Sequence, residues 1–185
     1  MYHYINVYYF IADFDRNEIL NLDKKITLIF RNYDQKPQEK ELIILKIKQF
    51  CKQNDRKLLL SNDLKLALKL NLDGLYIPAF NNLLKYKNFS KKNNFKLVGS
   101  AHNKHELLTK KLQGCEEVFI SPLFKNKKSN FFLDICRFNL IGLGSNISVI
   151  ALGGINNSNF KKIKLTNSIG FASISWLKKN QPKIK

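Results

Sequence analysis

The stretch Ser148-Val-Ile-Ala-Leu-Gly-Gly-Ile-Asn-Asn-Ser-Asn-Phe160 carries the pattern on which the fold prediction depends. A short apolar run that ends in a glycine pair indicates a buried strand followed by a sharp turn. The Asn-Asn-Ser that follows contains residues that cap helices, which predicts a helix over residues 157–164. Backbone N–H groups at such a junction point outward, so Gly153 and Gly154 are predicted either to bind a phosphate group or to form a ligand-free turn.

Short apolar strands alternate with helical segments along the rest of the chain. Strands are predicted over residues 7–12, 25–30, 57–60, 73–77, 95–99, 117–120, 149–152 and 168–172. Helices are predicted over residues 38–53, 63–71, 103–113, 132–143, 157–164 and 173–179. Eight strand–helix units predict an α/β fold, a (β/α)8 TIM barrel that is short and compact at this length. The alternative is an open doubly wound sheet, although no G-x-G-x-x-G motif follows the first strand.

The chain is long enough for one domain with a sizeable core. Residues 1–180 are predicted to form that single barrel domain, and residues 181–185 to form a frayed basic tail. In the longest predicted helix, Leu42, Leu45 and Phe50 are spaced to face the core.

The composition restricts the cellular setting. No run of about 18 apolar residues is present, so no membrane span is predicted. The first residues lack the apolar core and cleavage site of a secretory signal. Cys51, Cys115 and Cys136 lie far apart and form no C-x-x-C pair, which fits a reducing, cytoplasmic setting.

The formal net charge of +18 raises the question of a nucleic-acid partner. Lysines outnumber arginines 28 to 4, and they are scattered through amphipathic segments along the whole chain. Nucleic-acid-binding proteins usually favour Arg and place aromatic residues on a basic face, so a nucleic-acid partner is not favoured. The charge can still attract anionic small molecules to a cleft.

Polar residues follow the predicted strands at their carboxyl ends, where parallel α/β folds bind ligands. This group consists of Asp13, Asp15, Arg31, Asn62, Asp63, Tyr76, Asn81, Ser100, His102, Ser121, Lys125, Gly153, Gly154 and Ser173. Its cations, carboxylates, amides and hydroxyls suit a phosphorylated ligand with a divalent metal ion. Any strand end that meets solvent also becomes polar, so the pattern supports a site without deciding its ligand.

Several of these side chains have a simpler interpretation. Arg31 is either a phosphate clamp or a surface charge. Asp63 is either a Mg²⁺ ligand or the N-cap of the helix that it begins. His102 is either an acid–base group, a cap of the next helix or a packed imidazole. The run Lys125-Asn-Lys-Lys-Ser129 is either a solvated loop or a mobile one that closes on phosphate.

Seven motifs, taken in order, resemble those of the thiamine-phosphate synthase family and its thiazole-tautomerase relatives. They are Phe30-Arg31, Leu60-Ser-Asn62-Asp63, Asp73-Gly-Leu-Tyr-Ile-Pro78, Gly99-Ser100-Ala-His102, Ile120-Ser-Pro122-Leu-Phe124, Ala151-Leu-Gly153-Gly154-Ile155 and Ile169-Gly-Phe-Ala172-Ser173. The resemblance covers nearly the whole chain, and the order and spacing of the motifs carry more weight than any one of them.

The resemblance implies a (β/α)8 barrel that joins a pyrimidine pyrophosphate to a thiazole phosphate, releases pyrophosphate and makes thiamine phosphate. It implies that Arg31 and Ser100 contact the pyrophosphate. It also implies that Asn62 and Asp63 lie at the pyrimidine and at a bound Mg²⁺, with Asn81 at the second metal position. Mg²⁺ and cationic side chains are the expected means of stabilising a departing pyrophosphate.

The same resemblance assigns the remaining site positions. The implied contacts of the thiazole phosphate are Gly153, Gly154, Ala172 and Ser173. The other implied substrate contacts are Tyr76 and Ser121. His102 joins the catalytic set together with Lys125, and Lys127 or Lys128 would stand in for the lysine that the family carries after the sixth strand.

The chain departs from the family pattern in the half of the site that would hold pyrophosphate and metal. The family's glutamine and lysine on either side of the arginine are Ile29 and Tyr33 here, around Arg31. Its second metal-binding aspartate is Asn81 here. The histidine and glutamine of its fourth-strand motif are Tyr76 and Ala79. These departures leave open a second interpretation, in which a catalytically impaired barrel binds a thiazole phosphate or thiamine phosphate as a carrier or regulator.

Two further departures follow the sixth strand. The family's T-x-T-K is replaced by Lys125-Asn-Lys-Lys-Ser129, so a cation is near but out of register. A thiazole tautomerase would need an acid–base histidine where this chain has Pro122, which disfavours that activity. The expected partners are therefore phosphorylated pyrimidine and thiazole molecules, and the sequence leaves room for a homo-oligomer.

Overall fold

The computed structural model describes residues 6–86, 89, 95–126, 131–173 and 176–179. Its strands are β1 (Asn6–Ile11), β2 (Thr27–Phe30), β3 (Leu58–Ser61), β4 (Gly74–Ile77), β5 (Lys96–Ala101), β6 (Glu117–Ile120), β7 (Ser148–Leu152) and β8 (Gly170–Ser173). Its α-helices are α1 (Arg16–Leu20), α2 (Pro37–Gln53), α3 (Leu64–Lys69), α4 (Lys104–Leu112), α5 (Asp134–Gly142) and α6 (Trp176–Lys179). Two 3₁₀ turns cover Leu84–Tyr86 and Phe160–Leu165. The basic tail predicted over 181–185 lies outside the described residues.

The eight strands form one closed, parallel barrel in sequence order. Closure is made by β1, which pairs with β2 on one side and with β8 on the other, bringing Tyr8 beside Ala172. This arrangement confirms the predicted (β/α)8 barrel and excludes the open doubly wound sheet. Each strand is four to six residues long and almost wholly buried, because one face meets the barrel interior and the other meets the surrounding helices.

The barrel interior is a packed layer of side chains rather than a pore. It is formed by Tyr8, Phe10, Ile29, Leu59, Tyr76, Val98, Phe119, Ile150, Leu152 and Ala172. The aromatic rings meet edge to face, with centroids 5.0 Å apart for Tyr8 and Phe119 and 5.3 Å apart for Phe10 and Tyr76. Aromatic packing therefore places Phe10 and Tyr76 as the floor of the barrel mouth at the carboxyl ends of the strands.

A buried carboxylate closes the opposite end of the barrel. Glu117 accepts hydrogen bonds of 2.7 Å from both the Asn6 amide and the Tyr8 hydroxyl, and it forms an ion pair with Lys96. Burial and the neighbouring Glu117 raise the pKa of the Tyr8 hydroxyl far above its ordinary value, so this hydroxyl stays a hydrogen-bond donor. This polar cluster satisfies Glu117 at the end of the barrel away from the ligand side.

The buried face of α2 differs from the prediction. Leu42 is 61% exposed and Leu45 is 41% exposed, whereas Ile44, Ile47 and Phe50 are buried. Apolar residues occupy more than one stripe of this helix, and the barrel wall covers the stripe that contains Ile44. The assignment of Leu42 and Leu45 to the core was therefore wrong, and only that of Phe50 is confirmed.

The segment after β7 also differs from the prediction. The helix expected over 157–164 is a 3₁₀ turn over Phe160–Leu165. Asn156 and Asn159 do not cap an α-helix, because their side chains bond the loop itself: Asn159 Nδ2 donates to the Gly154 carbonyl at 2.8 Å, and Asn156 Oδ1 accepts from the Ser158 N–H at 2.9 Å. Such local side-chain bonds compete with helix formation. No α-helix dipole therefore faces the glycine pair.

Within the described residues, no helix is both long and apolar enough to cross a membrane. The three cysteines are all unpaired; Cys51 and Cys115 are buried and Cys136 is exposed. Burial raises the pKa of both buried thiols to about 12. These two thiols are therefore held in their neutral form at physiological pH.

Candidate active site

Arg31 lies over the mouth of the barrel. Its backbone N–H donates to the Ile11 carbonyl at 2.8 Å, which extends the β1–β2 pairing by one residue and holds the arginine at the rim. Its guanidinium carbon stands 4.7 Å from the centre of the Phe10 ring, within the range of a cation–π interaction. The barrel therefore presents a positive charge directly above its aromatic floor.

Tyr76 and Ser100 are joined beneath this charge. The Tyr76 hydroxyl donates a 2.9 Å hydrogen bond to Ser100 Oγ, and both residues are buried. Burial raises the pKa of the Tyr76 hydroxyl, and the Ser100 bond and the charge of Arg31 oppose part of that rise. The hydroxyl stays protonated and leaves Ser100 free to donate its own proton toward the mouth. Arg31, Tyr76 and Ser100 thus form one cluster, hereafter the rim cluster.

A second group lies beside it, at the ends of β3 and β4. Asn62 adopts a left-handed backbone conformation with φ of 59°, a geometry that Asn tolerates better than most residues. Its Oδ1 accepts a 2.6 Å hydrogen bond from Asn81 Nδ2. Asp63 caps α3, because its Oδ1 accepts from the Leu66 N–H at 3.1 Å. Its Oδ2 lies 3.5 Å from the Lys40 ammonium of α2.

This donor set does not fit the divalent metal ion that the resemblance implies. A Mg²⁺ ion prefers carboxylate oxygens, but Asp63 is the single carboxylate of this group, and it already accepts from the Leu66 N–H and pairs with the Lys40 ammonium. Asn81 presents its NH₂ group to Asn62 instead of an oxygen. Among the described residues, no group of three or more His, Cys, Asp or Glu side chains is arranged to hold a metal ion. No catalytic step is therefore assigned to a metal here.

A buried lysine that the sequence did not point to holds this region in place. Lys110 of α4 is fully buried, and its ammonium donates to the Asn81 carbonyl at 2.6 Å; Gln113 Nε2 donates to the same oxygen at 2.8 Å. A Cβ atom at Gly99 would lie 2.8 Å from the Lys110 side chain, so the absence of a side chain at this glycine leaves room for the lysine. The sequence did contain one sign of this burial: Lys110 follows Leu107 by three residues, which places it on the apolar face of the predicted helix.

The glycine pair is required by the neighbouring loop. Gly153 and Gly154 have φ values of 92° and 72°, a region that strongly favours glycine. A Cβ atom at Gly153 would lie 2.9 Å from the Pro122 Cα, and one at Gly154 would lie 2.1 Å from the Phe124 carbonyl oxygen. The Phe124 N–H also donates to the Gly153 carbonyl at 3.1 Å. The loop after β6 therefore packs directly on the turn after β7.

The remaining predicted residues have specific local contacts. His102 Nδ1 lies 2.9 Å from a Glu106 carboxylate oxygen, and Asn103 rather than His102 caps α4. Ser173 Oγ accepts from the Trp176 N–H at 3.0 Å, at the start of α6. Ala172 packs inside the barrel, one residue below the rim.

The residues of the loop after β6 lie apart from the rim cluster in sequence but at the same end of the barrel. Ser121 is half-buried beside the end of β5, since its N–H donates to the Ala101 carbonyl at 3.1 Å. Lys125 is exposed. Lys127 and Lys128 lie outside the described residues, so their predicted catalytic role stays a prediction.

A cavity of about 410 Å³ lies between α2, α3 and the loop that follows β2. Its lining residues are Asn32, Tyr33, Gln35, Pro37, Lys40, Glu41, Asp63, Lys65, Leu66 and Lys69. Asn32 and Tyr33 directly follow Arg31, and the Tyr33 hydroxyl bonds Ser61 Oγ at 2.8 Å. The cavity therefore extends from the two residues that follow Arg31 to the ion pair formed by Lys40 and Asp63.

Comparison with known proteins points to one family. A model of the thiamine monophosphate synthase family matches residues 18–177. A thiamine-phosphate synthase of Pelagibacter ubique is 29% identical over 168 residues, 88% of this chain and 79% of the relative. One of Prochlorococcus marinus is 28% identical over 156 residues, which is 79% of this chain but 43% of the relative, so the chain spans less than half of that protein's length. A thiamine phosphate pyrophosphorylase from Pyrococcus furiosus has a TM-score of 0.76 at 18% identity, covering 96% of this chain and 92% of that one.

Proposed function

Since the chain belongs to the thiamine monophosphate synthase family, we propose that it catalyses the synthase reaction itself. In that reaction the thiazole nitrogen forms a bond to the methylene carbon of hydroxymethylpyrimidine pyrophosphate. The bond between that carbon and the pyrophosphate oxygen breaks, and pyrophosphate leaves with its electron pair. The products are thiamine phosphate and pyrophosphate, so atoms and charge balance without an oxidant or reductant.

The rim cluster is the observation that carries this proposal. A leaving pyrophosphate gains negative charge as the carbon–oxygen bond breaks, and preorganised cationic and hydroxyl donors stabilise that charge. Arg31 supplies a guanidinium above the aromatic floor. Ser100 supplies a hydroxyl that accepts a hydrogen bond from Tyr76 and can donate its own proton to the pyrophosphate. Pyrophosphate at this position would place the departing oxygen between two donors.

The thiazole phosphate is proposed to bind at the turn after β7. Positive φ values at two consecutive residues, Gly153 and Gly154, turn the backbone sharply at the carboxyl end of the barrel. Phosphate sites in this fold are commonly built from the loops after strands seven and eight, which here begin at Gly153 and after Ser173. The two substrates would then meet across the mouth, above Phe10 and Tyr76.

The setting and partners of this proposal follow from its chemistry. Both substrates are phosphorylated small molecules, and the net charge of +18 favours their approach. The exposed, unpaired thiol of Cys136 is compatible with a reducing compartment, and we place the reaction in the cytoplasm on that basis.

The direct test supplies the purified full-length chain with both phosphorylated substrates, once with Mg²⁺ and once with EDTA, and measures thiamine phosphate and pyrophosphate by chromatography. Arg31→Gln is expected to lower kcat/KM by about 100-fold, since removing one donor to a developing anion commonly costs that much. The matched control is Arg137→Gln on α5, whose side chain is 64% exposed. No thiamine phosphate above background at high enzyme concentration, with or without metal, would rule out the synthase.

A further inference from the structure

Next to the Asp63 carboxylate this chain places an ammonium, that of Lys40, and it has the amide of Asn81 where the family pattern has a second carboxylate. We infer that Lys40 supplies the positive charge at Asp63, and that this protein binds the pyrophosphate group directly, without a divalent cation. The inference rests on the proposed function, because it names how the leaving group of that reaction is held. It concerns Lys40, Asn62, Asp63 and Asn81, hereafter the Asp63 corner.

The orientation of the Asn81 amide is the first step. The Leu83 backbone N–H can only donate, and it donates at 3.0 Å to the Asn81 side-chain oxygen. The Asn81 NH₂ group must therefore point the other way, where it donates to Asn62 Oδ1 at 2.6 Å and to the Tyr86 hydroxyl at 2.8 Å. Asn81 thus offers no lone pair toward Asn62 and Asp63, so it cannot serve as the second metal ligand in this arrangement.

The backbone behind Asn81 opposes a change of this orientation. The Asn81 carbonyl accepts from both Lys110 and Gln113, and these two side chains are buried. The Asn81 side chain is therefore bonded on its oxygen and on its nitrogen, while its main chain is held from α4. Turning the amide over would leave the Leu83 N–H and the Asn62 oxygen without these partners, which carries an energetic cost.

The charge at Asp63 is the second step. Lys40 lies in the first turn of α2. Its side chain is 16% exposed, and its ammonium lies 3.5 Å from Asp63 Oδ2. The family pattern would place two carboxylates here, whereas this chain combines one carboxylate with one ammonium. Lys40 offsets the attraction of Asp63 for a cation, and its ammonium can also contact an anion that lies on its side away from Asp63.

The cavity beside the corner extends this preference. Its lining includes three lysines, Lys40, Lys65 and Lys69, and two carboxylates, Glu41 and Asp63. Lys69 is paired with Glu41 at 2.6 Å, which leaves the cavity wall with an excess of one positive charge. Asn32 and Tyr33, which follow Arg31 in the chain, line the same cavity as Lys40, so we infer that the pyrophosphate lies between Arg31 and Lys40.

The experiment titrates inorganic pyrophosphate into the full-length protein by calorimetry, once in EDTA and once in excess Mg²⁺. Binding is expected in EDTA, with no strengthening by Mg²⁺. Lys40→Gln is expected to weaken binding in EDTA by about tenfold, as the loss of one charge-assisted contact predicts. The matched control Lys46→Gln, an exposed lysine of the same helix, is expected to bind as the wild type does.

A gain-of-function variant tests the same idea from the other side. In Lys40→Gln/Asn81→Asp, a neutral amide replaces the ammonium and a carboxylate replaces the Asn81 amide, so that the new Asp and Asp63 together offer two carboxylates. Mg²⁺ is therefore expected to strengthen pyrophosphate binding by about tenfold. The inference is overturned if wild-type binding appears only with Mg²⁺ or in neither condition, if Lys40→Gln binds as tightly as the wild type, or if Mg²⁺ has no effect on the double variant. Thermal unfolding of each variant confirms that it is folded.

The outcome also separates this inference from the proposed function. Pyrophosphate binding that appears only with Mg²⁺, in a protein that makes thiamine phosphate, would overturn metal-free binding and support the synthase. Metal-free pyrophosphate binding that depends on Lys40, in a protein that makes no thiamine phosphate, would overturn the synthase and support the direct anion site.

Discussion

The ammonium of Lys110 and the carbonyl of Asn81 are joined by a 2.6 Å hydrogen bond between two segments 29 residues apart. The lysine reaches this carbonyl through the space that Gly99 leaves open, and it brings a buried positive charge to the back of the Asp63 corner. Burial lowers the pKa of Lys110, and the nearby Cys115 and Glu106 oppose part of that fall. The stability of this contact is therefore linked to pH.

Lys110→Met gives the first prediction. The unfolded chain binds the proton of Lys110 more tightly than the folded chain, between the lowered pKa and the ordinary value of 10.5. The contribution of Lys110 to stability must therefore rise with pH through that window. The free energy of unfolding of the wild type, minus that of Lys110→Met, is expected to increase as the pH is raised toward 10.5 in urea titrations.

The control for this experiment is Lys52→Met, which removes an exposed lysine near the end of α2 and shows how much the loss of a lysine at the surface changes stability over the same range. A difference that falls with pH for Lys110→Met would contradict a lowered pKa. At neutral pH, Lys110→Met should change stability by about 1 kcal/mol or less, because Gln113 still bonds Asn81 and a buried charge is removed.

Tyr76→Phe tests the rim cluster. The change removes the hydroxyl that donates to Ser100 at 2.9 Å, and it leaves the ring packed against Phe10. Stability should fall by about 1 kcal/mol, the typical net value of one hydrogen bond. The catalytic effect should be larger, a decrease in kcat/KM of about tenfold, because Ser100 loses its orientation.

A double-mutant cycle with Ser100→Ala provides the matching measurement. If Tyr76 acts through Ser100, the two changes together should cost less than the sum of their separate effects on kcat/KM. Strictly additive effects would show that Tyr76 does not act through Ser100.

Gly154→Ala tests the turn after β7, and Gly144→Ala is its matched control. Both positions have positive φ, 72° and 68°, so both substitutions carry a similar backbone cost of about 1 kcal/mol. A Cβ at Gly154 would lie 2.1 Å from the Phe124 oxygen, whereas one at Gly144 would meet nothing within 4 Å. Gly154→Ala should therefore lower the free energy of unfolding by at least about 1 kcal/mol more than Gly144→Ala does. Equal losses would mean that the loop after β6 moves aside freely.

Glu117→Gln tests the closed end of the barrel. The change removes the charge that pairs with Lys96, and it places an NH₂ group opposite the Asn6 amide or the Tyr8 hydroxyl. The Lys96 side chain is 25% exposed, so solvent screens part of the loss, and a decrease in stability of about 2 kcal/mol is expected by urea denaturation. Glu116→Gln, at the exposed neighbouring position, should have little effect. A similar loss in both variants would rule out a specific role for the cluster.

The order of the elements was predictable from local patterns. Short apolar runs bounded by Gly, Pro and polar residues mark the strands, and all eight predicted strands are confirmed to within two residues at most of their ends. The helices α2, α4 and α5 were also predicted, because each has an apolar stripe and a clear start and end. The stripe that is buried in α2 was not predictable, since Leu42 and Ile44 are equally apolar and only the barrel wall selects between them.

Part of the site was predictable for the same reason. The carboxyl ends of parallel strands must meet at one end of a closed barrel, so Arg31, Tyr76 and Ser100 were expected at the mouth, and the structure brings them together there. Lys110 and Lys40 were missed because each acts on a residue distant in sequence, Asn81 and Asp63.

The sequence by itself therefore determined the alternation of eight strands with helical segments, since these periodicities depend on neighbours along the chain. The pairing of β1 with β8, which closes the barrel and excludes the open sheet, was decided by the tertiary structure. Only the tertiary structure decided which atoms of Asn81 face Asn62, and which cation stands beside Asp63. The physical reason is that a hydrogen bond or an ion pair depends on a few ångströms in space, and those distances exist only after the barrel has closed.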